Sequence, residues 1–208
     1  MASQRSPEAN GGVLLLRTLR FGGGEDVDRL GAAWSHPPGQ LNSLVALERC
    51  GTWLLRRLGE IGVEQHVEQR FREWLVAEAR AGAARNMLIE SRAMTLAHWL
   101  TQRGVPFVFL KGMARRLAAE RYPAMSARVT TDVDLLLKPR DAERVWTLLR
   151  EEGEYRLAVD PRVVPEGHYH LPPLAQADGV AVELHTATAR EVAPAEAWSR
   201  ATDCGMLV

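Results

Sequence analysis

The residues of this chain best suited to chemistry are two aspartates that are separated by a single residue. Asp132 and Asp134 lie in RVTTDVDLLLK, residues 128–138, within an otherwise apolar run. Because side chains alternate across a β-strand, both carboxylates are expected on one face and Val133 on the other. Adjacent carboxylates repel each other unless a cation neutralises them, and Mg²⁺ prefers oxygen ligands. The pattern indicates a divalent-metal site, with a surface turn or ion pair as the alternative.

A third acidic residue lies further along the chain in a similar setting. Glu183 and His185 alternate within VAVELHTA, residues 180–187, so both are expected on one face of a second buried strand. If this strand lies near the first, Glu183 completes a site with Asp132 and Asp134. Such a site can hold two divalent ions, which bind the attacking and leaving oxygens in phosphoryl transfer.

A glycine turn is a candidate for binding phosphate. FLKG, residues 109–112, ends an apolar run and precedes a helical pattern, which predicts Lys111 and Gly112 at a helix N-terminus. Gly112 permits close approach of a ligand to the backbone, and Lys111 supplies a point charge. Lys111 is one of two lysines among 26 basic residues. Arg128 is expected either to pair with Asp132 or to contact a triphosphate.

The sequence pattern changes along the chain from a helical region to a core with strands, which must position these residues. Residues 1–12 are predicted to be disordered, 13–83 to form a helical region, 84–190 to form a core with a mixed sheet, and 191–208 to form a helix and tail. Helices that precede a mixed sheet flanked by further helices indicate an α+β fold.

Composition narrows the range of functions. The 208 residues are 46% hydrophobic and carry a formal net charge of zero, which disfavours nucleic acid as a partner. Cys50 and Cys204 belong to no metal-spaced cluster, and the N-terminus lacks a secretory pattern, so we expect a cytoplasmic protein. The apolar run at 13–16 is far shorter than the ~20 residues that span a bilayer, so no membrane association is expected. The sequence leaves the oligomeric state open.

Several motifs together resemble a known family. In chain order they are FLKG, YP, RVTTDVDLLLKPRD, the glycine of EEGEYRL, HYHLPPL and VAVELHT. Over about residues 84–188 the chain resembles the uncharacterised nucleotidyltransferases of the DNA polymerase beta-like superfamily. The chain departs from the superfamily pattern at its first motif, where Lys111 and Gly112 replace a Gly-Ser turn and Met113 replaces a phosphate-binding hydroxyl.

The resemblance implies a polymerase beta-like core and transfer of a nucleoside monophosphate from an NTP, expected to be ATP, to an unidentified acceptor. It implies Mg²⁺ or Mn²⁺ as cofactor. The implied catalytic and metal-binding residues are Asp132, Asp134 and Glu183, and the implied nucleotide-binding residues are Lys111, Gly112 and Arg128. His170 and His185 are candidates for an acceptor pocket. The acceptor is expected to be a small molecule, a peptide or a protein.

Two other classes of function remain open at this point. His168, His170 and His185 with Glu183 form a legitimate set of zinc ligands, which would indicate a zinc-dependent hydrolase. The altered Gly-Ser turn is also compatible with a catalytically inactive nucleotide-binding or scaffold protein of the same fold.

Overall fold

The described residues fall into two compact units. The computed structural model describes residues 11–20, 27–37, 39–117, 129–163, 168–188 and 192–203. The first unit contains the described residues up to Arg85 together with Val129, and the second contains those from Asn86 onward apart from Val129. None of the described helices combines the length and the apolar character needed to span a membrane.

The first unit is built from helices. They are α1 (Gly11–Arg20), α2 (Val27–Ser35), α3 (Leu41–Leu47), α4 (Gly51–Glu60) and the first part of α5 (Gln69–Gln102), with a 3₁₀ turn at Glu64–His66. Apolar residues spaced three and four apart give these helices buried faces, and Trp34, Leu54 and Leu58 are completely buried. The chain between α3 and α4 turns at Arg49, which has a φ of 51°.

The second unit contains a mixed five-stranded sheet within the residues that are described. Its strands are β1 (Val108–Phe109), β2 (Asp132–Leu136), β3 (Arg156–Leu157), β4 (Leu174–Ala175) and β5 (Ala181–His185). Its helices are the rest of α5, then α6 (Lys111–Leu117), α7 (Pro139–Glu152) and α8 (Pro194–Asp203). The strand order is β1-β2-β5-β4-β3, with β2 and β5 parallel and the other neighbours antiparallel. The predicted α+β class is confirmed, whereas a polymerase beta-like core stays a prediction.

The two long strands, β2 and β5, divide their side chains between a core and a polar face. Val133 and Leu135 of β2, with Val182 and Leu184 of β5, belong to the core that also contains apolar residues of α5 and α7. The intervening side chains point to the opposite face because the strand period is two. The polar members of that face are Asp132, Asp134, Glu183 and His185.

The histidine-rich segment contains little regular strand. Of HYHLPPL, residues 168–174, only Leu174 belongs to a strand, β4, and His170 forms an isolated bridge with His185. Pro172 and Pro173 explain the short strand, since proline has no N–H to donate to a ladder. The domain boundaries proposed from the sequence stay predictions.

Gly112 is a packing residue in this fold. A Cβ at this position would lie 2.6 Å from Thr130 Cγ2 and 3.0 Å from Thr130 Oγ1. Thr130 is itself buried, and its N–H donates to Asn86 Oδ1 at 2.8 Å, so it has little room to move. The glycine therefore lets α6 lie directly against the segment that leads into β2. Whether it also contacts a nucleotide stays a prediction.

Replacement of Gly112 by alanine is expected to destabilise the protein by about 1–3 kcal/mol, because overpacking displaces Thr130. The double variant Gly112→Ala/Thr130→Ala should lose less than the sum of the two single variants, since Cγ2 and Oγ1 are gone. Urea denaturation measures all three free energies of unfolding. Gly39→Ala is the control, because nothing lies within 4 Å of that Cβ. Strict additivity of the two changes would contradict the contact.

Candidate functional site

Two carboxylates from neighbouring strands form the centre of the site. The parallel register of β2 and β5 places Asp134 directly opposite Glu183. Asp134 is 1% exposed and Glu183 is 19% exposed, so solvent screens neither charge fully. Unpaired negative charges in such a place are strongly unfavourable, which means that nearby groups must neutralise them.

Lys111 supplies one neutralising charge. Its Nζ lies 2.6 Å from Asp134 Oδ1 and 3.3 Å from Glu183 Oε2, so the ammonium bridges the two strands. The side chain reaches this place from the start of α6, and the preceding Leu110 N–H donates to the backbone oxygen of Asp134 at 2.9 Å. Lys111 has a φ of 45°, a left-handed conformation that costs a non-glycine residue about 1–2 kcal/mol. The ion pair is thus made at the expense of backbone strain.

His185 contacts both carboxylates from the side of β5. Its Nε2 lies 2.8 Å from Asp134 Oδ1 and 3.3 Å from Glu183 Oε2, and the side chain is 1% exposed. Tyr169 stacks on the ring with centroids 5.5 Å apart and planes at 25°. The other nitrogen, Nδ1, is buried and has no hydrogen-bond partner within the described part of the chain. Within the described residues, the polar contacts of this ring are therefore made by Nε2 with Asp134 and Glu183.

Asp132 lies on the same face but outside the closest contacts. It is half-buried and accepts a hydrogen bond from Thr131 Oγ1 at 2.8 Å. Burial raises its pKa above the ordinary value, and the charges of Asp134 and Glu183 raise it further, while the hydrogen bond and Lys111 oppose the rise. Burial and the two neighbouring carboxylates thus disfavour the ionised form of Asp132 more than its hydrogen bond and Lys111 favour it.

The pKa values of the cluster reflect mutual neutralisation. The hydrogen bond from His185 lowers the pKa of Glu183 against the effect of burial, and Lys111 lowers it further. Burial disfavours the charged forms of Lys111 and His185, but their bonds to Asp134 and Glu183 outweigh it and raise both pKa values. Glu183 is accordingly ionised at neutral pH and suited to binding a cation.

The donor atoms present fit a divalent cation. One ligand atom each from Asp134, Glu183 and His185 lies within 4.8 Å of the other two. Two carboxylates and an imidazole are accepted ligands for divalent ions. Because the Lys111 ammonium contacts the same two carboxylates, a metal ion and this ammonium compete for one place.

The structure brings most of the predicted site residues to one place. Lys111 contacts both Asp134 and Glu183, and Asp132 adjoins them, whereas Arg128 lies outside the described residues. His185, a candidate for an acceptor pocket, contacts both of these carboxylates, and its role toward an acceptor stays a prediction. Its position two residues after Glu183 on the same strand face was the signal for this contact.

His170 lies at the edge of the cluster. Its ring centroid is 5.2 Å from that of His185, and its Nδ1 is 2.8 Å from the Leu171 oxygen. Its role toward an acceptor stays a prediction. Thr131, which sequence reasoning missed, orients Asp132; a hydroxyl residue before a site aspartate is too common to have identified it.

Comparison with known families gives a match over most of the chain. Residues 38–204 match the model of a family described as uncharacterised nucleotidyltransferase. The match includes α3 and α4 as well as the whole acidic cluster, so it extends beyond the motifs at 84–188. The resemblance inferred from those motifs is confirmed. No curated protein and no solved structure matches the chain.

Lys111→Met is expected to strengthen binding of a divalent ion to the protein alone, because the ion no longer displaces an ammonium. Tenfold tighter binding corresponds to about 1.4 kcal/mol more stabilisation at a given high metal concentration. Thermal unfolding with increasing Mg²⁺ or Mn²⁺ measures this gain.

Lys138→Met is the matched control, because Lys138 is the other lysine of the chain and is exposed near Trp198. It should respond to metal as the wild type does. An equal response of Lys111→Met and wild type would show that the ammonium and the ion do not compete.

Proposed function

The chain belongs to the family of uncharacterised nucleotidyltransferases, and from this premise we propose that it transfers a nucleoside monophosphate from an NTP, with ATP as the expected donor. The proposed acceptor group is a hydroxyl or phosphate of a small molecule, peptide or protein. The proposed reaction depends on a divalent metal ion, Mg²⁺ or Mn²⁺.

One observation carries this proposal. Asp134 and Glu183 lie opposite each other on parallel strands, with a cationic side chain in contact with both. Asp132 beside them has a raised pKa because it is partly buried and because the charges of Asp134 and Glu183 lie close to it. A divalent ion bound to a triphosphate would supply positive charge and bring the substrate to the same place.

The chemistry is a displacement at phosphorus. An acceptor oxygen attacks the α-phosphorus of the NTP, and the new P–O bond forms as the bond to the bridging oxygen breaks. Pyrophosphate leaves with the electrons of that bond. A bound divalent ion supplies neutralisation of the triphosphate and of the leaving group.

The residues of the chain divide these tasks. Asp132, Asp134 and Glu183 would hold the ion. Lys111, once separated from the carboxylates, can place its ammonium on phosphate oxygens, since its half-exposed side chain is free to turn outward. Ionised Glu183 can also accept a hydrogen bond from the acceptor hydroxyl, whose proton then passes to water.

One feature favours a second candidate function, an inactive nucleotide-binding or scaffold protein. Met113 stands where a hydroxyl would contact phosphate, and its side chain is completely buried in the core. Lys111 and His185 also neutralise Asp134 and Glu183 without an ion. The zinc hydrolase has less support, because the close donor group in the described residues contains neither His168 nor His170.

Asp134→Asn is expected to weaken metal-dependent binding of NTP on the order of a hundredfold, since the central carboxylate is lost. Calorimetry with ATP in the presence and absence of Mg²⁺ measures the effect. Asp160→Asn is the control, because Asp160 is exposed and pairs with Arg162 outside the cluster. Unchanged affinity in a folded Asp134→Asn protein would contradict the proposal.

Activity itself is tested by incubating the protein with α-labelled NTPs, Mg²⁺ or Mn²⁺ and a metabolite or protein extract. Label should move to an acceptor while pyrophosphate appears in equal amount, and both should be absent with Asp134→Asn. Metal-dependent nucleotide binding without any pyrophosphate release across extracts would favour the inactive binding protein.

A further inference from the structure

We propose that His185 is a metal ligand, and that the centre therefore binds transition-metal dications such as Mn²⁺ more tightly than Mg²⁺. The inference rests on the proposed function, which requires a dication at Asp134 and Glu183. It adds a nitrogen donor to an otherwise all-oxygen site and thereby a preference among metals.

The spacing of the donor atoms supports a common ion. Two ligands at right angles on one ion, each at ~2.1 Å, lie about 3 Å apart. His185 Nε2 is 2.8 Å from Asp134 Oδ1 and 3.3 Å from Glu183 Oε2. Both separations are those expected of neighbouring ligands, so these three side chains need little movement to take up an ion. The proton that Nε2 shares with the carboxylates passes to water as the metal–nitrogen bond forms.

The imidazole is held in place before any ion arrives. His185 lies on β5, which pairs with β2 along its whole length, and Tyr169 stacks on the imidazole ring. The side chain is almost fully buried, while Nδ1 has no hydrogen-bond partner within the described residues, which is unfavourable for a buried polar atom. A buried polar ring kept at such a cost, with Nε2 directed at two carboxylates, indicates a role beyond packing.

The imidazole nitrogen of His185 determines which metal ions the site prefers. Mg²⁺ is a hard ion that favours oxygen and keeps several waters. Imidazole suits transition metals, and affinity for such sites rises from Mn²⁺ through Co²⁺. A set of carboxylate oxygens with one added nitrogen should therefore favour Mn²⁺ over Mg²⁺, and Co²⁺ more strongly still.

Competition from Lys111 leaves this preference unchanged. The ammonium contacts Asp134 and Glu183, and any dication that binds both must displace it. That displacement costs the same free energy for Mg²⁺ as for Mn²⁺. It lowers both affinities and cancels in their ratio, so the ratio reports the donor set.

The test compares wild type with His185→Gln, which replaces the ring nitrogen with an amide oxygen at similar reach. Calorimetric titration of the protein alone with MnCl₂ and with MgCl₂ gives the two affinities. We expect Mn²⁺ affinity to fall on the order of tenfold in His185→Gln while Mg²⁺ affinity changes much less. His98→Gln, which alters an exposed imidazole on α5, should change neither.

Electron spin echo spectroscopy of bound Mn²⁺ gives a direct readout on the wild type, which keeps the test valid if His185→Gln fails to fold. Modulation from a coupled ¹⁴N nucleus is expected in the wild type and in His98→Gln, and not in His185→Gln. Bound Mn²⁺ without nitrogen modulation in the wild type would overturn the proposal and leave His185 as a counter-ion.

These measurements need no nucleotide, so they separate the two proposals. Nitrogen-coupled Mn²⁺ in a protein that never releases pyrophosphate would support the ligand role and contradict the transferase. NTP turnover with an unchanged Mn²⁺ to Mg²⁺ affinity ratio in His185→Gln would support the transferase and contradict the ligand role.

Discussion

The arrangement of the site depends on the burial of two facing carboxylates. The register of two parallel strands places Asp134 and Glu183 opposite each other, which fixes their backbones side by side. Their repulsion must be met by positive charge at a fixed place. Lys111 and His185 provide it, and the left-handed backbone of Lys111 shows that this contact is made at a cost in local stability.

The negative charges of Asp134 and Glu183 can be neutralised in two alternative ways, by the Lys111 ammonium or by a divalent ion. The Lys111 ammonium contacts Asp134 and Glu183, whereas Asp132 keeps a raised pKa. Under the proposed function, a divalent ion would take the place of the ammonium beside these carboxylates, and the ammonium would then bind a phosphate. The same lysine would thus be a counter-ion in one state and a substrate contact in the other.

Side-chain alternation was enough to predict the polar face of the sheet. The spacing of Asp132 and Asp134, and of Glu183 and His185, follows from a period of two and needs no knowledge of the fold. The register of β2 and β5 could not be predicted from the sequence. A shift by two residues would have placed Asp132 opposite Glu183 and kept the same alternation of polar and apolar side chains. Register depends on how the two strands pack on α5 and α7 through many apolar contacts.

Two further features depended on long-range packing. Gly112 suggested a phosphate turn, but its lack of a Cβ is required by Thr130, eighteen positions later, and nothing in the sequence shows that these two residues pack together. The left-handed φ lies instead at Lys111, where sequence rules favour glycine. Local conflicts of this kind occur where a functional group must be placed at a cost to stability.

A crystal structure with Mn²⁺ and a non-hydrolysable NTP analogue tests the competition between ion and ammonium most directly. Anomalous scattering should locate Mn²⁺ between Asp134 and Glu183, with the Lys111 ammonium withdrawn from both and bound to phosphate oxygen. A structure in which the nucleotide binds while Lys111 still bridges Asp134 and Glu183, and the ion lies elsewhere, would contradict this mechanism.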